Sequence, residues 1–346
     1  MKRRVRLVPA VFLEYVMAQF SRRVVLGVIS FLTAVLLVGV AIPLRGYAAG
    51  EQAVGTEIGA RLGNPGNTRT LEILPLVDWN TASSDLRGEA GVSYLVRTDQ
   101  NTILFDVGGN LQSSDPSPLV ANMRRLGISL ADIDTIVISH NHMDHVGGQS
   151  YALAKTFSLD NKQIDLRGKR VFVPILMTYP GIETVLTQEP TLIGSGVATT
   201  GTITAKIHMG PVDEQALAIR VQGKGIVLLV GCGQQGLSNL IARSAKLFEE
   251  PIYAVIGGLH YPVPHGRWMM GGIDAQRWAT YGPDSGPSAE DVQREIDMLA
   301  AKGPQWVSLS PHDSSDEVIE AFRKTFGSRY HDLRVGEIQV IAGAKP

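Results

Sequence analysis

SHNHMDHVGG, Ser139–Gly148, sets three histidines and an aspartate within six residues and closes on paired glycines. It follows DTIVIS, Asp134–Ser139, a short β-branched run that reads as a strand. In an extended segment alternate side chains share one side. That places His140, His142 and Asp144 together. His145 then turns in as the chain bends at Gly147-Gly148, where a side chain would obstruct the turn. Imidazoles and a carboxylate suit Zn2+, and Mn2+ or Fe2+ take a similar set. Four ligands from one loop exceed what a single tetrahedral ion needs of it. One or two ions are therefore expected, His140 and His142 on one, Asp144 and His145 on the other. A bound cation lowers the pKa of water towards about 7, which is hydrolytic chemistry. Asp144 is also the catalytic candidate, placed to hold or orient that water. A solvated loop without metal has no physical need for this cluster.

Away from the loop, strands and helices are mixed. LEILPLV (71–77) reads as a strand, and GVSYLVRT with NTILFDVG as a hairpin. PLVANMRRLG has Ser117 as N-cap, Pro118 at the first helical position and Gly127 as stop. KRVFVPILM is a strand, EQALAIRVQGKGIVLLVG a second hairpin, GLSNLIARSAKLFEE an amphipathic helix, and IYAVIGG a buried strand. SAEDVQREIDMLAAKG carries Ser288 and Asp291 at capping spacing. QWVSLS, DEVIEAFRKTFG and LRVGEIQVI add strand, helix and strand. This mixture suits an α+β fold in which helices cover a sheet sandwich.

The first residues differ from the rest. Lys2, Arg3, Arg4, Arg6, Arg22 and Arg23 face only Glu14, and Val24–Leu44 then carries no charge. A spanning helix needs about 20 apolar residues. The basic side before the run favours a cytoplasmic N-terminus, with the remainder exported. The expected organisation is a basic segment (1–23), a transmembrane anchor or signal segment (24–44), a linker (45–70) and one catalytic domain (71–346). A single-pass membrane protein with an extracytoplasmic domain follows. Cleavage near GYAAG, Gly46–Gly50, with secretion of the domain, is the alternative. The formal net charge of −1 gives no sign of a nucleic-acid partner. The lone Cys232 excludes an internal disulfide framework and any thiolate-rich metal site, and it reads as a packed small residue.

The His140–His145 stretch resembles the H-x-H-x-D-H signature of the metallo-β-lactamase superfamily. Within it, the chain from Leu71 onward is similar to the 7,8-dihydropterin-6-yl-methyl-4-(β-D-ribofuranosyl)aminobenzene-5′-phosphate synthase-like subgroup. TILFDVGG resembles the first motif, and the resemblance implies that its Asp106 supports the metal ligands by orienting an imidazole. VDEQALAI, GIVLLVGCGQQGLSNLI, YAVIGGLH and VSLSPHDSSDEVIEAF follow the subgroup's order and spacing. The implied fold is an αββα four-layer sandwich with metal at the edge between the sheets, here behind an N-terminal transmembrane helix. Two departures stand out. Gln234 occupies the place of a ligand-type histidine in the subgroup's G-C-S-H-x-G, and His312-Asp313-Ser314-Ser315 replaces H-C-T-G. Loss of that ligand would weaken one metal site, leave a mononuclear centre, or mark a retired enzyme.

Other candidates complete the site. His260 and His312 each end an apolar strand much as His140 does, and both are expected as metal ligands. Gln234 is expected beside the ligands. Asp313 is either a substitute ligand or a helix N-cap. His208 is a ligand or an exposed loop histidine, and Glu214 an acceptor behind the ligands or a surface carboxylate. YPVPHGRWMMGGIDAQRWATYGPDSGP (261–287) lacks periodicity and exceeds ordinary connections, so it is expected as a loop shaping the substrate pocket. A face resting on the membrane is the other reading. The functional expectation is a membrane-anchored metal-dependent hydrolase, using metal-bound hydroxide on an ester, phosphoester or lactone-type small molecule. The alternatives are a catalytically altered or non-catalytic metal-binding relative, and a mononuclear iron dioxygenase.

Overall fold

A computed structural model describes residues 62–282 and 286–343. In chain order its first elements are β1 (Thr70–Val77), β2 (Ser93–Thr98), β3 (Thr102–Phe105), α1 (Pro118–Arg125), β4 (Thr135–Val137) and α2 (Gln149–Leu153). Seven short strands follow: β5 (Arg170–Val173), β6 (Thr184–Leu186), β7 (Leu192–Gly194), β8 (Val197–Thr199), β9 (Ile203–Ile207), β10 (Gly210–Glu214) and β11 (Leu217–Val221). Next come β12 (Gly225–Val230), α3 (Leu237–Leu247), β13 (Ile252–Gly257), β14 (Met269–Met270), β15 (Ile273–Asp274) and α4 (Ala275–Tyr281). The last are α5 (Ala289–Ala301), β16 (Trp306–Leu309), α6 (Asp316–Phe326) and β17 (Gln339–Ala342).

Two sheets dominate. One runs β17-β1-β2-β3-β4-β5-β6, the other β16-β13-β12-β11-β8-β7. The central strands β3, β4, β12 and β13 are buried at nearly every position because both faces are covered. Tyr94, Val96, Ile103, Phe105 and Val137 meet Val227, Leu229, Ala254 and Ile256 in a core between the sheets. The alternate residues Leu95, Leu104 and Ile136 face outward and pack with Leu119 and Met123 of α1. Leu228, Val230 and Val255 pack on the far side with Leu240, Ile296 and Phe322 of α3, α5 and α6. Period-2 alternation thus builds four layers, αββα.

The helix starts expected from sequence are in place: Ser117 caps α1, and a Ser288–Asp291 capping box opens α5. The stretch 261–287, expected as loop throughout, contains a two-residue hairpin and α4, whose Asp274 side chain accepts from Arg277 N–H. Seven residues show too little periodicity to read in advance. Within the expected linker, Thr68 is buried and bridges to Val221, so ordered packing begins ahead of β1. The span expected over 24–44 lies outside the described residues. Among those described, no helix is long and apolar enough to cross a membrane. The anchor in the expected fold therefore rests on the sequence run alone.

Strand polarity makes one edge special. β3, β4 and β5 are mutually parallel, as are β12, β13 and β16. β1 is antiparallel to β2, and β2 to β3, so β1 ends at the same edge as β3. Asp78, Asp106, Ser139, Cys232 and Ser310 each fall within one or two residues of a strand end.

Candidate metal centre

His140, His145 and His312 are buried, and the Nε2 atom of each lacks a hydrogen-bond partner. Their Nδ1 atoms show why. Asp106 Oδ2 lies 2.8 Å from His145 Nδ1, so the imidazole donates to it. The Ser139 hydroxyl donates its single proton to the same oxygen at 2.6 Å. Its remaining contact, 2.9 Å to His140 Nδ1, must therefore receive a proton from the ring. Donation from Nδ1 thus aims Nε2 of both rings into the site, as a lone pair wherever the ring is neutral. Buried polar atoms without partners are costly, and a cation meets that need. Ligand atoms of His140, His145 and Cys232 lie within 4.8 Å of one another, as do those of Asp144, His145 and His312, and of Cys232, His312 and Asp313. The residues present fit one or two divalent cations, with His145 common to the first two groups.

Electrostatics separate the imidazoles. Burial, then the neighbouring imidazoles, push His140 and His312 well below the ordinary histidine range. Burial opposes charge on His145 as well, but Asp144 and Asp106 outweigh it and hold its pKa up to about 9. In the metal-free chain His145 thus also carries a proton on Nε2, which a cation displaces on binding.

The local backbone is built for this. Asp106 has φ 60°, a left-handed conformation tolerated by aspartate, and its Oδ1 accepts Ser139 N–H at 2.7 Å. A turn opens at His142, whose carbonyl accepts His145 N–H at 3.0 Å, so the extended alternation expected through Asp144 stops there. The ligand pairing therefore differs from the sequence expectation: His140 groups with His145 and Cys232. His142 stands at the rim, its ring centroid 4.6 Å from His140, and Gln234 Nε2 lies 3.3 Å from its Nδ1. At Gly147, φ is +89° and a Cβ would come within 2.2 Å of Ser158 O. Gly147→Ala is expected to cost about 3 kcal/mol or more, from strain and clash together. Urea denaturation of the chelated chain measures it.

The remaining candidates fall into place. Thr280 Oγ1 donates to Gln276 O at 3.1 Å and so accepts His260 Nε2–H at 2.7 Å. His260 Nδ1 then accepts the Cys232 thiol at 3.3 Å. Both ring nitrogens of His260 are engaged, and it backs Cys232 instead of facing the opening between the ligands; burial drops its pKa to about 3. Asp313 is not a helix cap, since Ser315 caps α6. Its buried carboxylate accepts His260 N–H at 2.9 Å and holds that residue at φ 54°. Glu214 accepts the backbone N–H groups of Cys232, Gly233 and Gln234, fixing the turn after β12; burial raises its pKa to about 7. His208 is exposed against Trp278 and belongs to none of the groups able to hold a cation among the described residues. Cys232, Ser139, Ser310 and Asp78 were missed in the sequence. Their common signal is position, each just beyond an apolar strand.

A family model described as the metallo-beta-lactamase superfamily matches residues 86–156, the span holding Asp106 and the histidine loop. Over that span the chain is similar to the metallo-beta-lactamase superfamily. A relative from Methanocaldococcus jannaschii, named 7,8-dihydropterin-6-methyl-4-(beta-D-ribofuranosyl)-aminobenzene-5'-phosphate synthase, is 28% identical over 244 residues, 57% of this chain and 80% of the relative. An uncharacterized protein of the same organism is 27% identical over 210 residues, 54% of this chain and 77% of its own length. The crystal structure of Tm1679, a metal-dependent hydrolase of the superfamily, superposes with TM-score 0.53 at 21% identity, covering 79% of this chain and 99% of that one. That likeness carries the fold.

Proposed function

We propose that this chain is a metal-dependent hydrolase acting on an ester, phosphoester or lactone-type small molecule. The observation carrying this reading is the convergence of three unpartnered, buried Nε2 atoms with Asp144 and Cys232. His140, His145, His312, Asp144 and Cys232 would hold the cation. When bound, it supplies Lewis-acid activation of water and steadies developing negative charge. Asp144 is the carboxylate placed to hold or orient the attacking water, its Oδ2 3.6 Å from His145 Nε2. Gln234, hydrogen-bonded to His142, favours a centre with one strong ion over two equal ones. The same change supports the second reading, a relative with altered catalysis. The basic lead and the uncharged run Val24–Leu44 support a membrane tether with the domain exported.

A cleft of about 600 Å3 supports small-molecule chemistry; Trp79, Glu89, Leu111, Asp115, Pro118 and Trp268 contribute to its walls. Its Trp79 wall lies under Arg267, 5.6 Å from the ring centroid, and Arg267 Nε donates to Pro311 O at 2.8 Å beside His312. Trp268→Ala is expected to raise KM about tenfold with little change in kcat, the signature of lost ground-state contact worth about 1.4 kcal/mol. A collapse of kcat at constant KM would contradict that assignment.

Metal quantification on the purified full-length chain tests the main reading, followed by a screen of phosphodiester, phosphomonoester, lactone and β-lactam substrates. One or two equivalents of zinc or manganese with turnover of one class are expected. A chain devoid of metal and inert after zinc loading would refute it, and a single equivalent of iron would point to the dioxygenase.

A further inference from the structure

Asp78 lies at the end of β1, and Ser310 follows β16 in the other sheet, 232 residues away. The Ser310 hydroxyl donates to Asp78 Oδ2 at 2.7 Å. Ser310 Oγ also lies 2.6 Å from His312 Nδ1. A hydroxyl has one proton, and Asp78 takes it. His312 must therefore donate Nδ1–H to Ser310, which leaves Nε2 as the lone pair. That Nε2 is buried, unpartnered and grouped with Asp144 and His145.

We infer that Asp78 is a positioning residue that sets the tautomer and aim of His312 through Ser310. The inference rests on the metal-centre reading and extends it to a residue outside every recognised motif of the chain. Asp78 is fully buried and accepts two more protons, from Tyr94 O–H at 3.0 Å and Trp79 N–H at 2.7 Å. All three donors require its carboxylate to act as an acceptor.

The arrangement repeats the chemistry of Asp106, Ser139 and His140, but its span differs. Asp106 and Ser139 follow neighbouring strands of one sheet, whereas Asp78 and Ser310 join the two sheets across the site edge. A second tie reinforces this junction: the Arg267 guanidinium lies 5.6 Å from the Trp79 ring centroid and its Nε bonds Pro311 O. The residues after Asp78 and after Ser310 are thereby clamped from outside. His312 thus takes its orientation from the packing of one sheet on the other, and Trp79 carries the same strand end into the cleft wall.

The test measures Zn2+ affinity by chelator competition, and the melting temperature of the metal-free chain, in full-length wild type, Ser310→Ala, Ser310→Thr and Asp78→Asn. Removing a partner that orients a ligand typically weakens metal binding 10–100-fold, and that loss is expected in Ser310→Ala. Ser310→Thr keeps the hydroxyl and should restore most of it. Asp78→Asn keeps the side-chain size and decides the matter should Ser310→Ala not fold; weaker Zn2+ binding is expected there too. Unchanged affinity in Ser310→Ala, or in Asp78→Asn if it must decide, overturns the inference. So does a lower melting temperature without loss of affinity, which would assign Asp78 to sheet fastening alone. A wild type that binds no Zn2+ would instead bring down the metal-centre reading itself.

Discussion

His145→Ala is expected to empty the site and abolish turnover. His145 belongs to two of the groups able to hold a cation, so its loss breaks both. It is fully buried, and no other described imidazole occupies its place against Asp106. A bound metal contributes several kcal/mol of transition-state stabilisation, so kcat/KM should fall by roughly three orders of magnitude. Metal content measured beside activity gives the check: stoichiometry and turnover should fall together. His208→Ala, at an exposed position outside those groups, should leave both intact. A His145→Ala chain that retained its metal would remove the basis of the proposed chemistry.

The second large effect belongs to Asp106→Asn. One carboxylate accepts from Ser139 N–H, Ser139 O–H and His145 Nδ1–H. Asparagine tolerates the left-handed backbone at this position, so conformation is not the issue. Its amide group must turn an N–H toward at least one of the three donors. The buried donor so stranded costs about 3 kcal/mol, given that bonds to charged acceptors are the strong ones. His145 also loses the contact that fixes its tautomer, and metal affinity should drop about 10–100-fold. Urea denaturation of the metal-free chain reads the first effect, and chelator competition the second. A variant matching wild type in both would show that Asp106 neither orients nor braces the site.

Much of the site was legible because it is local. His140 to His145 lie on one loop directly after a strand, and Asp106 ends the neighbouring strand. The alternation expected over His140, His142 and Asp144 stops at His142, where a turn opens with His145 N–H bonded to the His142 carbonyl. His260 was expected as a metal ligand, whereas its ring is engaged by Cys232 and Thr280. Thr280 lies on α4, a seven-residue helix whose existence depends on contacts that periodicity does not report.

The sequence by itself determined a mixture of apolar strands and capped helices that suits covered sheets, and the histidine loop marks its own chemistry; the four-layer order was what the resemblance implied. Only the tertiary structure decided which side chains share the opening. Cys232, Ser310 and Asp78 carry no local signature, because each acts through a partner brought close by strand direction and sheet packing. Strand ends of both sheets meet at one edge, and the single proton of each serine hydroxyl then dictates which imidazole nitrogen remains free. Proton placement of that kind depends on distances of about 3 Å between residues up to 232 positions apart, which no local pattern encodes.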